Sequence, residues 1–60
     1  MRYIYDLTFD ELKDALKPLN APQFRAGQIF TALHQGIPVA EITNIPKDLR
    51  FWLATNFDCN

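Results

Sequence analysis

The sequence predicts an all-α fold, a small three-helix bundle, and three observations predict it. Apolar residues recur at helical spacing in three segments that open near Thr8, Pro22 and Pro46. Each opening residue suits a helix N-terminus, and the first two segments meet Pro18 and Gly36, which do not readily continue a helix. Only short turns remain between them. The one alternating run, Tyr3-Ile4-Tyr5, is too brief to define a strand and reads either as an extended lead-in or as a cover on the core.

The first helix begins at Thr8, with Glu11 three residues later, the spacing of a capping box in which each side chain accepts from the other residue's backbone N–H. Phe9, Leu12, Ala15, Leu16 and Leu19 then share one face, while Asp10, Lys13, Asp14 and Lys17 take the other. Pro18 disfavours helical geometry at Lys17, and Asn20-Ala21 turns the chain. The second helix starts near Pro22, where the missing N–H removes no hydrogen bond. Its buried stripe is Ala26, Ile29, Phe30 and Leu33, and Gly36 stops it with positive φ. Gly27, in mid-helix, costs about 1 kcal/mol relative to Ala. Either another backbone approaches it closely or the position tolerates the loss. Ile37-Pro38-Val39 is an extended connector and Ala40-Glu41-Ile42 a single helical turn. The third helix runs from Pro46 to about Asn56, with Ile42, Ile45, Leu49, Trp52 and Leu53 on its apolar side. The tail Phe57-Asp58-Cys59-Asn60 has no cap and reads as a fraying or cut end.

Sixty residues allow one domain, 1–60, with a modest core. Apolar residues at 48% supply that core, and charged residues at 22% exclude a disordered polyelectrolyte. The single cysteine, Cys59, cannot close an internal disulfide, and no His/Cys cluster has zinc-ligand spacing. No apolar run approaches the roughly 20 residues of a membrane span, and the N-terminus lacks a signal-peptide core, so the default setting is cytoplasmic. Net charge is −1, which rules out a generally basic nucleic-acid binder. The charge is unevenly placed, however. Asp6 to Asp14 holds four acids against one base, whereas Lys17 to Arg50 holds four bases against two acids. An anion-facing surface is therefore expected from the second and third helices.

One histidine, one cysteine and scattered carboxylates form no nucleophile–base pair, and no glycine-rich phosphate loop is present. The residues alone support no catalysis by this chain. Arg25, Gln28 and Gln35 share a helical face away from the apolar stripe. That face is either simply solvated or a polar strip for a phosphate backbone or another domain, and the planar fork of arginine suits both ligands. Lys47, at a helix N-terminus, makes a plausible phosphate contact, and Arg50 follows one turn later, unless the two pair with solvent and nearby acids. Trp52 falls on the apolar stripe and reads as core. Phe24 and Phe51 fall off theirs, so they either close gaps between helices or are exposed for a partner. A helix-turn-helix DNA reader fits poorly, because the third helix has few exposed base-reading side chains.

Three runs, Phe24-Arg25-Ala26-Gly27-Gln28-Ile29-Phe30, Leu33-His34-Gln35-Gly36 and Ile42-Thr43-Asn44-Ile45-Pro46-Lys47-Asp48-Leu49-Arg50, together resemble the N-terminal accessory domain of one enzyme family. It comprises the radical-SAM, dual-specificity adenine-2 RNA methyltransferases (RlmN/Cfr type), which act on 23S ribosomal RNA and tRNA. The likeness covers residues 8–57. Ala32 stands where the family usually carries an aromatic residue, and Ile42 where it often has methionine.

The resemblance implies a helix-hairpin-helix-like accessory domain ahead of a larger catalytic barrel. It implies that the 4Fe-4S cluster, S-adenosylmethionine and working cysteines belong to the barrel and not to this chain, and that Cys59 is not one of them. The chain is then an isolated domain of a longer protein or a truncated relative, monomeric, with structured RNA and the barrel as partners. The leading expectation is an RNA-positioning domain that contacts RNA through Arg25, Gln28, Lys47 and Arg50, with Lys17 and His34 as secondary candidates. The alternative is an interdomain module in which Arg25, Gln28 and Arg50 dock on the barrel without touching RNA.

Overall fold

A computed structural model of the chain describes residues 1–59. Three α-helices form the expected all-α bundle: α1 (Phe9–Leu16), α2 (Gln23–His34) and α3 (Lys47–Asn56). Single 3-10 turns at Ile4–Asp6, Lys17–Leu19 and Val39–Glu41 complete it. Helix α1 packs on α2, and α3 packs on the Val39–Glu41 turn.

The predicted capping box is formed. Thr8 Oγ1 accepts from the Glu11 N–H at 3.1 Å, and the Thr8 N–H donates to Glu11 Oε1 at 2.9 Å. The other carboxylate oxygen of Glu11 holds Arg2 at 2.8 Å. Leu12 and Leu16 are buried, but Phe9 and Leu19 are each 38% exposed and Ala15 is half-buried, contrary to the five-residue apolar face read for the first helix. The regular helix stops at Leu16, and the 3-10 turn rises about 2 Å per residue rather than 1.5. Leu19 is thereby carried to a groove beside Trp52 instead of into the core. Asn20 makes the turn in the left-handed region, at φ 53°.

Helix α2 begins after Pro22 and buries Ala26, Ile29, Ala32 and Leu33. It ends in a Schellman motif. Gly36 adopts φ 82°, its N–H reaches the Leu33 carbonyl at 3.1 Å, and the Ile37 N–H reaches Ala32 at 2.9 Å. Nothing lies within 4 Å of a Cβ built on Gly27, so no close backbone approach explains that glycine. Val39, Ile42 and Ile45 carry the connector into the core, where Leu49 and Leu53 of α3 meet them.

The tail departs from the expected fraying end. The Asp58 N–H donates to the Arg2 carbonyl at 2.8 Å, and the Ile4 N–H donates to the Asp58 carbonyl at 2.9 Å. These bonds make a single parallel bridge between Tyr3 and Asp58. Phe57 packs edge-on against Trp52, with ring centroids 6.0 Å apart. Ile4, 1% exposed, is sealed beneath this junction, so the Tyr3-Ile4-Tyr5 segment covers the core. Asn60 lies outside the described residues.

Two predictions follow from helix chemistry. Gly27→Ala should raise stability by about 0.5–1 kcal/mol, read as a higher urea midpoint at unchanged slope. Glu11 is held below its ordinary value of 4.5, first by the Thr8 backbone N–H and then by Arg2. A depressed carboxyl pKa stabilises the fold above the unfolded value, and this is lost as pH falls through the folded one. Melting temperature should therefore drop more steeply between about pH 5 and 3 in the wild type than in Glu11→Gln.

Candidate nucleic-acid interface

The six lysines and arginines divide into two sets. Arg2 pairs with Glu11, Lys13 with Asp10 at 3.5 Å, and Lys17 with Asp14 at 3.0 Å. Arg25, Lys47 and Arg50 are in none of the ion pairs among the described residues.

The two arginines of the second set instead grip backbone. Arg25 Nη1 donates to the Asn44 carbonyl at 3.0 Å and to Gln28 Oε1 at 2.9 Å. Its guanidinium also lies 4.7 Å from the centroid of the Phe24 ring. Arg50 Nη1 donates to the Ile45 carbonyl at 3.0 Å and to Ile42 at 3.1 Å. Residues 42–45 lie between helical segments, so these carbonyls need donors from elsewhere, and two helices supply them. A carbonyl accepts a hydrogen bond without cancelling the donor's charge. Both guanidinium groups therefore converge on one loop as fixed cations. Lys47 leaves that loop as the first residue of α3, exposed, with Pro46 at the N-cap and no side chain capping the helix.

The predicted Arg25–Gln28–Gln35 face is partly divided. Gln28 and Gln35 line a mixed trough of about 490 Å³ with Thr31, Ala32, Ile37 and Asn44. Arg25 lines a separate, almost wholly apolar groove of about 320 Å³ with Leu19, Pro22, Leu49 and Trp52. Lys17 sits across α1's end beside Asp14, lining a different cleft. His34 lies at the opposite end of α2 from Arg25, its ring 4.2 Å from that of Phe30. The structure thus gathers Arg25, Gln28 and Arg50 on residues 42–45, places Lys47 beside them, and leaves Lys17 and His34 apart. The carbonyls of Ile42, Asn44 and Ile45 could not be read as site atoms, because every residue type presents the same acceptor.

Cys59 is half-buried, its Sγ 3.8 Å from the Leu53 carbonyl. Burial, and then the Asp58 charge, push its thiol pKa up, the reverse of an activated nucleophile. Among the described residues no group of three or more His, Cys, Asp or Glu side chains could hold a metal ion. No helix is long and apolar enough to cross a membrane.

This small helical chain is similar in sequence to part of proteins named RNA methyltransferases. It is similar to the probable dual-specificity RNA methyltransferase RlmN of Geobacillus kaustophilus (strain HTA426), 46% identical over 56 residues. The proteins of that name from Staphylococcus aureus strains JH9 and Newman are 45% identical over the same length. Each match covers 90% of this chain, and the chain spans 15% of the length of each of these curated relatives. The chain is a homologue of part of the RlmN dual-specificity RNA methyltransferases, the family that the Phe24-Arg25-Ala26-Gly27-Gln28 and Pro46-Lys47-Asp48-Leu49-Arg50 runs resemble. No protein-family model and no solved structure matches it.

The loop clamp has a direct test. Arg50→Ala removes two charge-assisted hydrogen bonds from a half-buried position and should destabilise the fold by about 1–3 kcal/mol. Arg50→Lys keeps the charge but not the fork and should recover less than half of that loss, measured by urea unfolding.

Proposed function

We propose that this chain is an RNA-contacting accessory domain of a dual-specificity RNA methyltransferase, and that it positions structured RNA for a catalytic barrel elsewhere in the polypeptide. The observation that carries the reading is the division of cations. The three on the N-terminal segment, α1 and the 3-10 turn that follows it are matched to carboxylates, whereas Arg25, Lys47 and Arg50 surround one loop and keep their charge. Cations held in place without counterions suit a phosphate backbone, because binding releases the polymer's condensed ions. Three such groups with one glutamine cannot encode a base sequence, so recognition is by shape and phosphate. In this reading 23S rRNA and tRNA are the RNA partners. The reaction, methyl transfer to adenine with S-adenosylmethionine and a 4Fe-4S cluster, belongs to the barrel.

A second reading has its own support. The groove lined by Leu19, Ala21, Pro22, Leu49 and Trp52 exposes almost no polar surface, which suits a protein neighbour better than a polyanion. Docking on the barrel through that groove is compatible with RNA contact through the cationic edge.

Lys47 separates the two readings, since its side chain makes no hydrogen bond or ion pair among the described residues. Lys47→Ala should leave unfolding unchanged and lower the salt dependence of RNA affinity by about one unit of log–log slope or less. An unchanged slope, together with unchanged affinity in an Arg25→Lys/Lys47→Ala variant, would exclude the RNA edge.

A further inference from the structure

Aromatic side chains on this fold nearly all have partners. Tyr3 meets Tyr5, Phe9 meets Phe30, Phe30 meets His34, and Trp52 meets Phe57. Phe24 carries the Arg25 guanidinium on its ring. Phe51 alone, among the described aromatic residues, is in no ring or cation contact, and at 74% it is also the most exposed of them. A benzyl group left in water on a helix that already buries Leu49 and Leu53 contributes little to folding.

Its surroundings are polar. On α3 the neighbours of Phe51 at three- and four-residue spacing are Lys47, Asp48, Ala54 and Thr55, all exposed. The Thr55 hydroxyl donates to the Phe51 carbonyl at 2.8 Å, which occupies that donor. Protein-binding hot spots sit in contiguous apolar pockets ringed by polar residues. The apolar groove on this molecule is lined by Trp52 and Leu49, and Phe51 is not among its lining residues. A solitary ring one helical turn from an unpaired ammonium instead matches a nucleotide, whose base offers a flat face and whose phosphate offers the charge.

We propose that Phe51 is a stacking platform for an unpaired base of the bound RNA, with Lys47 on the neighbouring phosphate. This rests on the RNA-contact reading above and adds to it a preference for single-stranded or looped RNA over duplex. Asp48, on the same face, disfavours a second phosphate there and limits the site to about one nucleotide.

The experiment uses the full polypeptide in which the chain occurs and two labelled RNA probes, a hairpin with 2-aminopurine in its loop and a blunt duplex of equal length. Phe51→Ala should weaken hairpin binding about tenfold and leave duplex binding and salt slope unchanged. Phe51→Tyr should restore affinity, and the 2-aminopurine fluorescence quenched by wild type should return in Phe51→Ala. Equal hairpin affinities for wild type and Phe51→Ala, with Lys47→Ala still weakened, would overturn stacking while leaving the RNA edge standing. If neither probe binds wild type, both readings fall. If Phe51→Ala leaves RNA binding intact but exposes the domain to proteolysis, the ring packs on protein and the proposal is wrong.

Discussion

Residues 42–45 must cross from the end of a 3-10 turn to the start of α3 while burying Ile42 and Ile45. A chain that dives into a core carries its carbonyls with it, and those oxygens need donors. Arg25 from α2 and Arg50 from α3 provide them. The rest of the arrangement depends on this choice of donor. Had carboxylates been the partners, the arginines would have been neutralised, and Lys47 alone of the three cations would have kept its charge.

The same choice separates two electrostatic regions in a chain of net charge −1. The first helix is acidic and holds the bases on it and just after it, with Lys13 and Lys17 each three residues from an aspartate. Exposed pairs of this kind stabilise little, but they silence charge locally. The loop and the third helix do the opposite. They immobilise positive charge on backbone oxygens, and the apolar residues beneath, Ile42, Ile45 and Leu49, keep the platform rigid. Structure and proposed function thus draw on the same side chains. Arg25 and Arg50 are poor targets for testing function alone, and Lys47 and Phe51 are good ones.

Much of this fold was legible in the residues. The Thr8–Glu11 spacing announced the start of α1, and Gly36 announced the end of α2, because caps are local chemistry. The three helices follow from periodicity. What was not legible is non-local. The tail's return to Arg2 and Ile4 is made by backbone atoms more than fifty residues away in sequence. The burial of Ala32 and exposure of Leu19 depend on how elements meet rather than on their own period. At the site, periodicity placed Arg25 and Gln28 together, and the fold joins them by a hydrogen bond. It also grouped Gln35 with Arg25, and the fold assigns those two to different grooves. The loop carbonyls that hold both arginines carry no sequence signature.

Two guanidinium groups sit on the loop carbonyls of residues 42–45 and retain their charge. Nitrogen-15 NMR of the arginine side chains in the free protein tests this most directly. Slow guanidinium rotation, separate Nη resonances and solvent-protected Nη–H protons are expected for Arg25 and Arg50, with Arg2 averaging faster. Averaged, rapidly exchanging signals from Arg25 and Arg50 would contradict it.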